Sequence, residues 1–204
     1  FVSKEAKEVD LKKGNRTSLI ELFTGASCPP CVAADLATGV VESSFPASKV
    51  IVLRYHQHIP APDPLTNSDS EARFFYYNHR GTPSINLNGQ QVFGAAGGVE
   101  EVESSYDSLV EALIPELSAD TEVKIELSAA AKDGKLELKA NVSGTDKIKE
   151  PLQLVAVLAE DELHYEAPNG INLHEMIVRS MLGEPTGVAA KDGKLSLTKT
   201  LDLD

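Results

Sequence analysis

The chain has only two cysteines, and they stand three residues apart with two prolines between them, Cys28-Pro29-Pro30-Cys31. Neither proline can continue a strand, yet both suit the first turn of a helix, where a backbone N–H has no partner to lose. Upstream, Ser18-Leu19-Ile20-Glu21-Leu22-Phe23 is an apolar run that ends at Thr24-Gly25 and reads as a buried strand. Downstream, Val32 to Ser44 reads as a helix. The motif therefore stands on a strand-to-helix turn, with the helix expected to open at the first cysteine. There, unpaired N–H groups and the macrodipole would favour a Cys28 thiolate.

The pattern continues as alternating elements. Val50-Ile51-Val52-Leu53 is a second buried strand, and the polar, proline-rich stretch from His56 to Asn67 follows it. Ser68 to His79 has helical spacing and a good capping residue in front. Ser84 to Leu87 and Gln91-Val92-Phe93 flank Asn88-Gly89, the strongest short hairpin signal. Val99 to Leu117 is an amphipathic helix, and its acidic opening, Glu100, Glu101 and Glu103, complements the helix dipole. From Ser118 the period changes to two, with Val123, Ile125 and Leu127, then Leu136, Leu138, Ala140 and Val142. The hexapeptide Ala-Lys-Asp-Gly-Lys-Leu occurs at 131–136 and 190–195, and its Asp-Gly favours a tight hairpin turn. These patterns divide the chain into an α/β domain, residues 1–117, opened by a flexible polar lead-in, and a small all-β, sandwich-like domain, residues 118–204.

Composition narrows the function. A net charge of -12 argues against nucleic acid and anionic membrane surfaces, which reward Lys and Arg. Two cysteines in one motif make no disulfide scaffold at this length. Cys-x-x-Cys serves zinc as well as redox chemistry, but zinc normally takes four ligands and no second cysteine pair exists. As a redox pair, Cys28 would attack a substrate disulfide and Cys31, one turn on and partly buried, would resolve the mixed disulfide. An inert disulfide on a binding protein is the competing reading. A third adds His56 and His58, two residues apart and so on one strand face, to the thiolates as copper ligands. The plainer view of both histidines is a polar strand end. No metal or other cofactor is otherwise expected.

Cys28-Pro29-Pro30-Cys31 after a buried strand, with Gly81-Thr82-Pro83 before the next strand, resembles the thioredoxin superfamily over about Ser18 to Leu117. The resemblance implies a thioredoxin-like fold, a cis Thr82–Pro83 bond facing the disulfide, and thiol–disulfide oxidoreductase activity. More narrowly, Glu21-Leu22-Phe23-Thr24-Gly25, Tyr55-His56 and Asp63-Pro64 resemble secreted bacterial thioredoxin-like proteins of unassigned function. Asn172-Leu173-His174-Glu175 through Arg179 and Gly183 is similar to the C-terminal β domain some of them carry, which implies an exported protein, periplasmic, envelope-associated or extracellular. The sequence departs from the family at Ser27, where a tryptophan is usual, and at Leu22, where the buried acid would align. Glu21, one residue away, is either a substitute proton acceptor or an edge carboxylate.

Other residues follow from these readings. The loop from His56 to Thr66, stiffened by Pro60, Pro62 and Pro64, is expected to border Cys28, with His56, His58 and Asp63 as substrate-lid candidates. His174 and Arg179 are expected to brace the β domain. Partners are expected to be a protein or small thiol or disulfide substrate and a redox partner protein. Period-two runs near Val123, Leu136, Leu154, Met176 and Leu195 count about five strands, against the roughly seven of an immunoglobulin-like sandwich. The β domain is therefore expected to be incomplete, or completed by homo-oligomeric pairing at its C-terminal edge, Ser196 to Leu203.

Overall fold

The computed structural model describes residues 14–189 and 195–202. In chain order, β1 (Ser18–Thr24) leads through the Cys-Pro-Pro-Cys turn to α1 (Cys31–Ser44), then β2 (Val50–His56), α2 (Ser68–Tyr76), β3 (Ser84–Leu87), β4 (Gln90–Val92) and α3 (Val102–Leu117). Then come β5 (Lys124–Lys132), β6 (Lys135–Ser143), β7 (Gln153–Leu154), β8 (Val157–Glu160), β9 (Leu163–His164), β10 (Leu173–His174), β11 (Ile177–Met181), β12 (Val188–Ala189) and β13 (Leu195–Asp202).

Two compact units result. The first comprises the described residues through Asp120 together with Leu158–Ser180. Its mixed sheet runs β4-β3-β1-β2-β11-β8. β1 and β2 are parallel in a register that pairs Ser18 with Val50 and Thr24 with His56. β3 returns antiparallel to β1, and β11 lies parallel on the far side of β2. The Asn88-Gly89 turn joins β3 to β4 with φ of 50° and 82°, the left-handed conformation that this dipeptide tolerates.

Alternation along β1 sorts its side chains between two layers. Ile20 and Leu22 enter a core with Ala34, Ala37 and Val41 of α1 and Leu109, Val110 and Leu113 of α3. Glu21 and Phe23 take the opposite face, which α2 covers. There the Phe23 ring stacks on Tyr55 at 5.0 Å and meets Phe74 edge-on at 5.8 Å. α2 is capped by Asn67, whose side chain accepts from the Ser70 N–H, and it ends at Tyr76, short of the expected His79.

The second unit is Thr121–Val157 with the described residues from Met181 on. Its three-stranded antiparallel sheet runs β13-β6-β5. Asp133 and Gly134, at φ of 52° and 72°, form the β5–β6 turn, as the hexapeptide predicts. Positions 190–194 of the second copy lie outside the described residues. Leu138, Ala140, Leu154, Leu182 and Leu197 make its core.

The two-unit division differs from a single cut after Leu117. Residues 158–180 return to the first unit, where β11 pairs with β2 at Ile177–Arg54. Nine strands follow α3 among the described residues, against the five expected, because two-residue strands leave no periodic trace. β5 is exposed along its whole length, and β13 pairs with β6 from Leu195 to Asp202. No helix among the described residues is long and apolar enough to cross a membrane.

Candidate functional site

Cys28 and Cys31 form a disulfide with Cα atoms 5.4 Å apart. The loop that carries them is closed by Cys28 N–H donating to the Gly25 carbonyl at 3.0 Å and Cys31 N–H to the Cys28 carbonyl at 3.2 Å. α1 begins at Cys31, so Cys28 sits on the turn before the helix rather than at its first residue. Val32 N–H likewise reaches back three residues, to the Pro29 carbonyl at 3.4 Å, so residues 28–32 form a tight turn that leads into the helix. Cys28 is 2% exposed and Cys31 fully buried, while Pro29 and Pro30 are exposed.

Thr82 faces the first sulfur. Its hydroxyl donates to Cys28 Sγ at 3.4 Å, and its carbonyl oxygen lies 3.7 Å from the same atom. The Thr82–Pro83 bond is cis, as the resemblance implies, and so is Ile59–Pro60, which nothing in the sequence singled out.

The loop after β2 folds back onto the segment before Cys28. Asp63 accepts from Ala26 N–H at 2.7 Å, from Leu65 N–H at 2.8 Å and pairs with His56 Nδ1 at 2.8 Å. Burial alone would raise this carboxyl. The hydrogen bond and charge of His56 and the two N–H groups outweigh it and hold Asp63 below the ordinary carboxylate range. Gly25 is required here, since a Cβ would come within 2.4 Å of the Ile59 carbonyl oxygen. Asp63 and His56 are therefore buried braces of the disulfide loop. His58 is exposed, with Nδ1 accepting from Asp63 N–H at 2.9 Å.

Glu21 lies on the other side of the sheet. Arg73 Nε donates to its Oε1 at 2.8 Å, and the Tyr77 hydroxyl to its Oε2 at 2.5 Å. The edge reading does not describe a carboxylate 1% exposed inside an ion pair under α2.

Sequence reasoning missed Asp35, Arg54 and Asn169, and assigned His174 and Arg179 to the β domain. Asp35, one turn after Cys31, accepts from the Thr24 hydroxyl at 2.5 Å and lies 3.8 Å from Arg54 Nε. Burial raises its carboxyl, although Arg54 and Thr24 pull the other way. Arg54 is buried and donates to Glu42 at 2.8 Å and to the Glu175 carbonyl at 3.1 Å. His174 stands with its ring 5.5 Å from that of His56, in the first unit rather than the β domain. Burial and the neighbouring His56 lower its pKa. Asn169 N–H donates to the Ala26 carbonyl at 3.0 Å. Arg179, on β11, pairs with Glu160 of β8 at 2.6 Å, again in the first unit. A carboxylate four residues after a buried cysteine was the one signal available for Asp35. Nothing local marked Asn169. Among the described residues no group of three or more His, Cys, Asp or Glu side chains is placed to hold a metal ion.

Comparison with known proteins gives a likeness of fold. No family model matches the chain, and no curated protein matches it in sequence. Among solved structures it is similar to HBP35 of Porphyromonas gingivalis, with a TM-score of 0.63 and 15% identity over 94% of this chain. It spans 65% of the length of that HBP35 chain. It is also similar to protein AGR_C_4864 from Agrobacterium tumefaciens, with a TM-score of 0.55 and 21% identity over 91% of this chain and 78% of that one. At these identities the likeness speaks for the fold alone.

Proposed function

We propose that the first unit is a thioredoxin-like thiol–disulfide oxidoreductase that works through the Cys28–Cys31 pair. The observation that carries the reading is the disulfide on a strand-to-helix turn with Thr82 against Cys28 Sγ at 3.4 and 3.7 Å. A backbone carbonyl and a hydroxyl beside the outer sulfur are what an extended segment of substrate would share when Cys28 forms a mixed disulfide. Cys31, fully buried beneath it, is then the resolving thiol. Partners are a protein or small disulfide substrate and a second redox protein. Nucleic acid does not fit a chain of net charge -12.

The second reading, a redox-silent binding or structural protein, draws on the 2% exposure of Cys28. Copper handling has less behind it, because His56 Nδ1 is engaged by Asp63 and His58 points its Nδ1 at a backbone N–H. An exported, envelope-associated location follows from the resemblance and suits a compartment where disulfides persist.

A reduction-potential titration against glutathione tests the main reading. The expected value lies between about -120 and -270 mV, the range of working oxidoreductases. A potential below about -300 mV would mark a structural bond and favour the second reading.

A further inference from the structure

We propose that Asp35 is the proton acceptor for the Cys31 thiol, and that a cleft lined by Asp35 and His174 passes the proton to solvent. The inference rests on the oxidoreductase reading above and assigns it a residue.

Thiol–disulfide exchange leaves a buried thiol with a proton to lose. In the reduced protein, the Cys28 thiolate attacks a substrate disulfide, forming the Cys28–substrate bond and releasing one substrate thiolate. Cys31 must then surrender its proton before its sulfur can attack Cys28 Sγ, form the Cys28–Cys31 bond and release the second substrate thiolate. Two electrons pass from the dithiol to the substrate disulfide, and the Cys31 proton needs an acceptor. A fully buried thiol has little water around it to play that part.

Asp35 is placed for the task by three independent features. It lies four residues after Cys31 on α1, which puts the two side chains on one face with Cβ atoms about 5–6 Å apart. The Thr24 hydroxyl holds its carboxylate at the end of β1, the strand that feeds the disulfide loop. Its side chain is 10% exposed, and a cleft of about 250 Å³ opens on it, lined also by Arg54, Ile171, Leu173, His174 and Glu175. The proton can therefore cross from Cys31 Sγ directly or over one water and then leave by the cleft.

The charged groups around Asp35 set its readiness. Arg54 on β2 favours the ionised form, as do His56 at the end of β2 and His174 on β10 when protonated. Glu42 of α1 and Glu175 share Arg54 with it. Burial outweighs these and raises the carboxyl, which makes it a better base for a thiol than an exposed aspartate. Glu21 cannot substitute, because it is engaged by Arg73 and Tyr77 on the opposite face of β1.

The test follows the two steps separately in the full chain. Reduced protein is mixed with oxidised glutathione, quenched by alkylation at intervals, and analysed by mass spectrometry for the Cys28–glutathione adduct and for closure to Cys28–Cys31. In Asp35→Asn, adduct formation should stay near the wild-type rate. Closure should slow by about 100-fold or more near neutral pH and should rise with pH where the wild type is flat. Asp35→Glu should recover closure. Closure in Asp35→Asn at the wild-type rate and pH profile would overturn the proposal, and so would equal loss of both steps or no recovery in Asp35→Glu. A wild-type protein that forms no adduct would instead remove the oxidoreductase reading, and this proposal with it.

Discussion

Glu21→Gln is the substitution that separates a structural carboxylate from a chemical one. Glu21 is 1% exposed and takes both Arg73 nitrogens, at 2.8 and 3.2 Å, with the Tyr77 hydroxyl. Glutamine keeps the shape and removes the charge, so the buried Arg73 guanidinium, 4.9 and 4.7 Å from the Tyr76 and Tyr77 ring centroids, faces a neutral amide in place of the carboxylate. Breaking a buried pair from one side costs about 3–5 kcal/mol, far more than a surface pair returns. At about 2–4 °C per kcal/mol for a chain of this size, the oxidised protein should melt on the order of 10 °C lower. Removing both partners in Glu21→Leu/Arg73→Met should recover most of that loss, since a buried ion pair and a well-packed apolar pair are close in energy. Guanidinium chloride unfolding followed by circular dichroism measures the cost, and closure kinetics with oxidised glutathione measure the chemistry. Glu21→Gln should leave the closure rate and its pH profile unchanged. A loss below about 1 kcal/mol together with slowed closure would refute the reasoning and return Glu21 to the role of proton acceptor.

Three further outcomes are expected. Asp63 has a lowered carboxyl, so its contribution is present above the unfolded value of about 3.9 and is lost as pH falls through the folded one. Asp63→Asn should cost about 2–4 kcal/mol at neutral pH and flatten the acid limb below pH 4, read by urea unfolding across pH. His174 has a lowered pKa, so protonating it opposes folding; His174→Gln should remove part of the stability the wild type loses as pH falls below about 6.5. Pairing between copies is proposed at β5, where Ile125 and Leu127 are exposed on an open edge. An antiparallel second copy centred on Ile125 sets Lys124 opposite Glu126 in both directions. Sedimentation should then find a dimer that Ile125→Lys dissociates, and a monomeric wild type would end the idea.

The fold was legible where local chemistry and tertiary demand agree. The apolar run from Ser18 to Phe23, the Asn88-Gly89 and Asp133-Gly134 turns and the Cys-Pro-Pro-Cys break each specify one backbone outcome. Of the candidate site, the Cys28–Cys31 pairing and the cis Thr82–Pro83 bond were legible in the motifs, whereas Asp63, expected in a substrate lid, is a buried brace. Glu21 was mislaid because sequence gives which face a residue takes, but not which helix covers that face. Arg54 drew no reading because the apolar run stops at Leu53, and its charge is met by Glu42 and by Glu175, the latter more than a hundred residues away. His174 and Asn169 belong to short strands and turns that carry no period, so nothing in their neighbourhood tied them to the disulfide loop.

β11 lies beside β2 inside the first sheet, yet it is separated from α3 by the whole of Thr121–Val157. A ribosome or a refolding chain therefore meets the pieces of that sheet out of order. With only residues up to Leu117 available, β2 is an unpaired edge and the Arg54 N–H has no Met176 carbonyl to meet. Closing that gap requires bringing together segments more than a hundred residues apart, which slows the search for the native arrangement more than it weakens the finished one. A fragment cut after the third helix should then be a sticky, incomplete intermediate, and the natural excision point for the first unit lies beyond Ser180.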